Sequence, residues 1–306
     1  MPDWTAFAGV VGVVLTLLLV LARLSTAHVT GSAASGDATG RVADEDAPGA
    51  DAGPEATAGA TPLDADLSPD EWNWGVDGAG SVDDAADGRD LADAVPPRAD
   101  VSDLPTSALL GNVALSQGLF GTLLALATWW AEIPLAPLGL APAFTPELLG
   151  LGVALGLTLW VANELAGRAG ARFGVDGGEE LRALLAPDSP AGWALLLGAV
   201  LPLVALFEEF LFRSVLVGAF AAGFALPPWP LVVGSSVAFA LGHGAQGRAG
   251  MLVTGALGLL LGAAFVVTGS FLVVAVAHYL VNALEFVVHE GFGDGRERRP
   301  SPSRVR

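Results

Sequence analysis

The sequence contains no cysteine, which excludes a disulfide framework and any thiolate metal site. It contains no lysine either: all 14 basic residues are arginine, set against 32 acidic ones. Histidine occurs only four times and tyrosine once, so each of these side chains can be followed individually. The net charge of −18 argues against nucleic acid as a partner, because phosphates would be repelled. Dense carboxylates also keep a surface hydrated in concentrated salt, and the composition reads as halophile-like. What the chain has in quantity is apolar: 53% of its 306 residues are hydrophobic. A soluble domain rarely has this composition, which points to an all-α, polytopic membrane protein.

Hydrophobic runs and breaker residues divide the chain into four parts. Residues 1–30 hold a first transmembrane helix, apolar from Ala6 to Leu24 and long enough to cross about 30 Å of hydrocarbon. The run lacks a positive leading region and has Arg23 at its far end, so it is read as an uncleaved helix with its N-terminus outside. Residues 31–104 are rich in Ala, Gly, Asp and Pro and predict a disordered acidic linker. Within it, "DEWNWGV" (Asp70 to Val76) is the one stretch suited to docking. Residues 105–290 form a helical domain with its core at 190–290, and residues 291–306 a basic cytoplasmic tail. Length and Gly/Pro boundaries predict helices near 107–131, 146–166, 191–222, 229–246, 249–268 and 271–290, seven in all with the first. A short interfacial helix is expected in Asp176 to Pro187. With the N-terminus outside, the loop and tail arginines fall on the cytoplasmic side, a positive-inside pattern for an integral plasma-membrane protein. The basic tail suits anionic lipid headgroups.

Only Arg213 is left inside the membrane, and it belongs to the first of three polar clusters. "EEFLFR" places Glu208 and Glu209 before Arg213. Glu209 and Arg213 are at i and i+4, the favourable order for an ion pair. Glu208 points about 100° away and is the freer base. "FALGH" places Phe239 one turn before His243, and "HYLVN" places His278 one turn before Asn282. An ionised group at the centre of a bilayer costs roughly 3 kcal/mol or more, so such residues are expected to be paired or functional. A carboxylate and a histidine can hold or deprotonate a water, while a second histidine and an amide can donate to an oxyanion. Alternatively Glu208, His243 and His278 can bind a divalent metal such as zinc, with its water as nucleophile. The residue types leave both routes open.

These three motifs, in this order on successive hydrophobic helices, resemble the CPBP family of intramembrane proteases, which includes the CAAX prenyl endopeptidases and bacteriocin-processing and immunity proteins. The resemblance covers about residues 190–290. It implies an intramembrane endopeptidase acting on a membrane-associated or lipidated protein. Glu208 would be the water-activating carboxylate, His243 its partner, and His278 and Asn282 the groups that steady the carbonyl oxygen. Glu209, Arg213 and Phe239 would support them. The family usually has glycine after its arginine, and here Ser214 stands there; a small residue is kept, so close packing is expected to survive.

Several alternatives stand beside this reading. Glu209 and Arg213 suit a purely structural ion pair, and the whole cluster suits a non-enzymatic scaffold or immunity-type relative. A proton-coupled transporter also uses intramembrane Glu and His, but no inverted repeat is visible. Interfacial solvation is expected for Glu285, His289 and Glu290, with Glu285 a minor candidate to support His278. One expectation is awkward. If the 191–222 helix enters from the cytoplasm, Glu208 and His243 differ in depth by about 15 Å, unless Pro202 kinks or breaks that helix.

Overall fold

A computed structural model describes residues 1–39, 105–141, 145–171 and 179–291. Most of the acidic linker, including Asp70 to Val76, lies outside the described residues, as does the tail beyond Gly291. In chain order the described helices are α1 (Trp4–Thr39), α2 (Thr106–Trp130), α3 (Pro146–Ala171), α4 (Glu179–Leu185), α5 (Pro190–Phe224), α6 (Pro228–Gly242), α7 (Gly247–Thr268) and α8 (Phe271–Phe286). A single wider turn, Val287–Gly291, extends α8. No strand occurs among the described residues. Backbone polar groups cannot be left bare in hydrocarbon, so an apolar chain of this kind satisfies them within helices.

Six of these helices are long and apolar enough to cross a membrane. The expected seventh, α6, has only 15 residues and a length of roughly 22 Å, short of the hydrocarbon thickness. It stops at Gly242 because the backbone leaves helical geometry at His243, and a tight turn, Gly244–Gln246, leads directly into α7. Leucines and valines exposed on the outer faces of the bundle are the lipid-facing surface. Trp129, Trp130 and Trp229 are also exposed, at the end of α2 and the start of α6, where indole rings favour the membrane boundary.

α5 is the central element. From Leu201 to Ala219 most of its side chains are buried, including Glu208, Glu209, Arg213 and Ser214. α1 packs beside it: the buried Phe7 and Val11 share a core with Leu124 of α2 and Phe207, Leu211 and Val215 of α5. Pro202 does not break α5. The helix widens by one residue per turn at Leu196–Val200, just before the proline. In that widened register the carbonyl of Leu197 would accept from residue 202, which has no N–H. The hydroxyl of Tyr279, the only tyrosine in the chain, donates to it instead at 3.1 Å.

Two pairs of helices approach closely through glycines. Gly152 and Gly156 of α3 lie against the backbone of α8, where an added Cβ would stand 3.0 Å from the carbonyl oxygens of Val273 and Ala277. Gly258 and Gly262 of α7 lie against Ser236, Phe239 and Val232 of α6. Small residues at these positions let neighbouring backbones meet in lipid, where no hydrophobic force pushes them together.

Candidate active site in the helical bundle

α5 widens again over Phe210–Ala219, immediately after the two glutamates. A wide turn of this kind often marks a functional segment, because it rotates the side chains that follow it. The guanidinium of Arg213 lies back along the helix and donates from NH1 to Glu209 Oε1 at 2.6 Å. Its NH2 donates to the carbonyl of Gly258 at 3.3 Å, a contact that the glycine packing of α6 on α7 makes reachable. The ring of Phe239 covers the guanidinium, with Cζ 4.6 Å from the ring centroid. Glu209 and Arg213 are 0% and 1% exposed, so the ion pair is fully enclosed.

Both histidines are fixed at Nδ1 and turn Nε2 toward Glu208. His278 on α8 lies with Nδ1 2.6 Å from Glu209 Oε1. Its Nε2 is 3.6 Å from Glu208 Oε2. His243, at the end of α6, has Nδ1 2.8 Å from the carbonyl oxygen of Phe239. That oxygen only accepts, so Nδ1 carries a proton and Nε2 is left for other partners. His243 Nε2 stands 3.9 Å from Glu208 Oε1. Phe239 packs against both imidazoles, at centroid distances of 4.6 Å to His243 and 5.9 Å to His278. Glu208 Oε2 and Glu209 Oε2 are buried without a hydrogen-bond partner among the described residues. Spans of 3.6–3.9 Å are too long for direct hydrogen bonds and suit bridging by a small polar species.

The structure therefore brings together Glu208, Glu209, Arg213, Phe239, His243 and His278. Asn282 lies one turn beyond His278, half-buried and without a hydrogen bond among the described residues. The expected 15 Å depth conflict is absent. It came from counting inward from residue 191, whereas the turn at 225–227 joins α5 to α6 and sets their common level. Glu208 precedes that turn and His243 follows it by similar stretches, each roughly 20–25 Å.

A second polar cluster forms where solvation was expected. His289 Nε2 lies 2.5 Å from Glu164 Oε1 of α3 and 3.5 Å from Glu285 Oε2. Asn163 donates to Glu285 Oε1. Arg182 of α4 pairs with Glu290 at 2.9 Å and with Glu285 at 3.5 Å. Glu285 thus faces α3 and α4 and does not support His278. Asn163 and Arg182 are more than 100 residues away in sequence, so no local spacing could reveal them.

The fold and these embedded clusters define the class: a polytopic α-helical membrane protein with a buried carboxylate facing two oriented imidazoles. Residues 190–284, about a third of the chain, match the family model described as type II CAAX prenyl endopeptidase Rce1-like. Over those residues the chain is similar to a family described as CAAX prenyl endopeptidases, in line with the resemblance to the CPBP intramembrane proteases carried by its three motifs. No curated protein and no solved structure matches it.

Proposed function

We propose that this protein hydrolyses a peptide bond of a membrane-associated substrate, including lipidated ones, with Glu208 activating a water. The observation that carries the reading is the facing of Glu208 by two imidazole Nε2 atoms whose Nδ1 atoms are already committed. A water between Glu208 Oε1 and the lone pair of His243 Nε2 is held by two acceptors, with its oxygen free to attack. Glu208 takes the proton as the O–C bond forms. His278, donating from a protonated Nε2, and the amide of Asn282 stabilise the oxyanion. The C–N bond then breaks, and Glu208 returns its proton to the leaving amine.

Glu208 and the two Nε2 atoms also have the donor chemistry of a zinc-type ion, and the unpartnered Glu208 Oε2 is consistent with one. Such an ion would supply Lewis-acid activation of the same water, with Glu209 and the Phe239 carbonyl orienting its imidazoles. The roles of Glu209 and Phe239 as positioning residues hold on either route. A scaffold role explains the enclosed Glu209–Arg213 pair but gives no reason for burying Glu208 beside two unpaired nitrogens. The arginine distribution supports a cytoplasmic C-terminus, with the cleaved bond in the cytoplasmic half of the bilayer.

The test is cleavage of a prenylated C-terminal peptide, and of its unlipidated counterpart, by purified protein in liposomes, with products read by mass spectrometry. Glu208→Gln, His243→Ala and His278→Ala should each reduce cleavage at least 100-fold while the protein remains folded. Undiminished cleavage by any of the three overturns the assignment. Loss of stability without any cleavage product from the parent protein favours the scaffold.

A further inference from the structure

We propose that Glu164, Glu285 and His289 form a second site, which binds one divalent transition-metal ion of the zinc class and clamps α3 to the end of α8. Nothing in the proposed hydrolysis uses these residues. Their ligand atoms, one from each residue, all lie within 4.8 Å of one another. Glu285 and His289 stand one turn apart on the same helix, and Glu164 faces them from α3. Two carboxylate oxygens and one imidazole nitrogen are a donor set suited to zinc.

The second carboxylate oxygens of Glu164 and Glu285 are held from behind, and Arg182 NH1 stands 3.5 Å from the ligand oxygen Glu285 Oε2. Arg168 takes Glu164 Oε2, and Asn163 takes Glu285 Oε1. Glu164 Oε1 and Glu285 Oε2 are thereby turned toward His289 Nε2, the kind of outer support that orients metal ligands. Charge balance points to a cation independently. Among the described residues, three carboxylates (Glu164, Glu285, Glu290) meet two guanidiniums (Arg168, Arg182), an excess of one negative charge. The Glu164 and Glu285 side chains are 12% and 17% exposed, whereas His289 is 36% exposed and gives the ion a way in.

The experiment uses full-length, tag-free protein in detergent carrying Glu208→Gln, which removes the carboxylate of the other cluster. Calorimetric titration with zinc should show one saturable ion per chain, and the thermal midpoint should rise. Adding His289→Gln or Glu164→Gln should weaken binding at least tenfold. X-ray absorption of the zinc-loaded Glu208→Gln protein should show a single imidazole in an N/O shell, and this decides the matter even where a second substitution impairs folding. Absence of saturable binding, binding unchanged by His289→Gln, or two imidazoles around the ion overturns the proposal. Peptidase activity is not read, so these outcomes leave the assignment of Glu208 untouched.

Discussion

His278 Nδ1 lies 2.6 Å from Glu209 Oε1, the same oxygen that accepts from Arg213. One buried oxygen thus links α5 to α8 and fixes the plane of the imidazole whose other nitrogen faces Glu208. The two adjacent glutamates have different tasks because they point in different directions. Glu209 is enclosed and bonded, whereas Glu208 faces the space between the histidines.

This division predicts separable phenotypes. Glu209→Gln removes the charge that pairs with a buried guanidinium and should destabilise the protein by about 3–5 kcal/mol. Glu208→Gln removes a carboxylate that makes no direct hydrogen bond to a neighbouring side chain and should leave the thermal midpoint nearly unchanged or raised. Cleavage should fall at least 100-fold for Glu208→Gln. For Glu209→Gln, kcat should fall with KM little altered, since His278 is misaligned rather than lost. Thermal unfolding in detergent together with steady-state kinetics checks both; equal stability loss in the two variants would refute the division.

Ser214 offers a second check. Its buried hydroxyl donates to the carbonyl of Leu138 at 2.7 Å, tying α5 to the loop after α2. Ser214→Ala leaves that carbonyl unpartnered and should cost about 1 kcal/mol. Ser214→Gly should cost somewhat more, because the helix also gains backbone freedom. Neither substitution touches the imidazoles, so cleavage per folded molecule should be retained; thermal midpoints and active-site titration read the two effects separately.

How much of this was legible in the sequence depends on distance along the chain. Helices α2, α3 and α5–α8 follow the hydrophobic runs and their Gly/Pro boundaries closely, and the Glu209–Arg213 pair follows from i,i+4 spacing. The contact of Glu209 with His278 spans 69 residues and is set by how α8 lies on α5, which no local pattern encodes. The same holds for Glu164 with His289, whose meeting depends on the register that Gly152 and Gly156 give to α3 on α8. The widened turns of α5 were hidden for another reason: the spacing of apolar residues does not distinguish a turn closed one residue later from an ordinary helical one.

Gly218 gives the sharpest steric prediction. A Cβ built on it would stand 2.0 Å from the backbone oxygen of Pro137. Backbone cannot swing aside as a side chain can, so α5 and the 131–138 loop would have to separate. Gly218→Ala should destabilise by several kcal/mol, within the 1–3 kcal/mol range of overpacking or above it. By contrast Gly234→Ala, where a Cβ meets nothing within 4 Å, should be neutral or slightly stabilising. Comparing the two midpoints tests the packing directly, since both glycines are helical and differ only in what surrounds them.

Tyr279 tests the account of Pro202. The hydroxyl reaches Leu197 at 3.1 Å, where the widened turn leaves a carbonyl that the proline cannot satisfy. Tyr279→Phe keeps the ring and removes only the donor, so it should cost about 1 kcal/mol. Pro202→Ala restores an N–H to the helix and should make the hydroxyl redundant. The double variant should therefore lose less than Tyr279→Phe alone, a coupling readable in a double-mutant cycle of thermal midpoints. Strict additivity would show that the two groups do not share the Leu197 carbonyl, and that α5 passes its proline for some other reason.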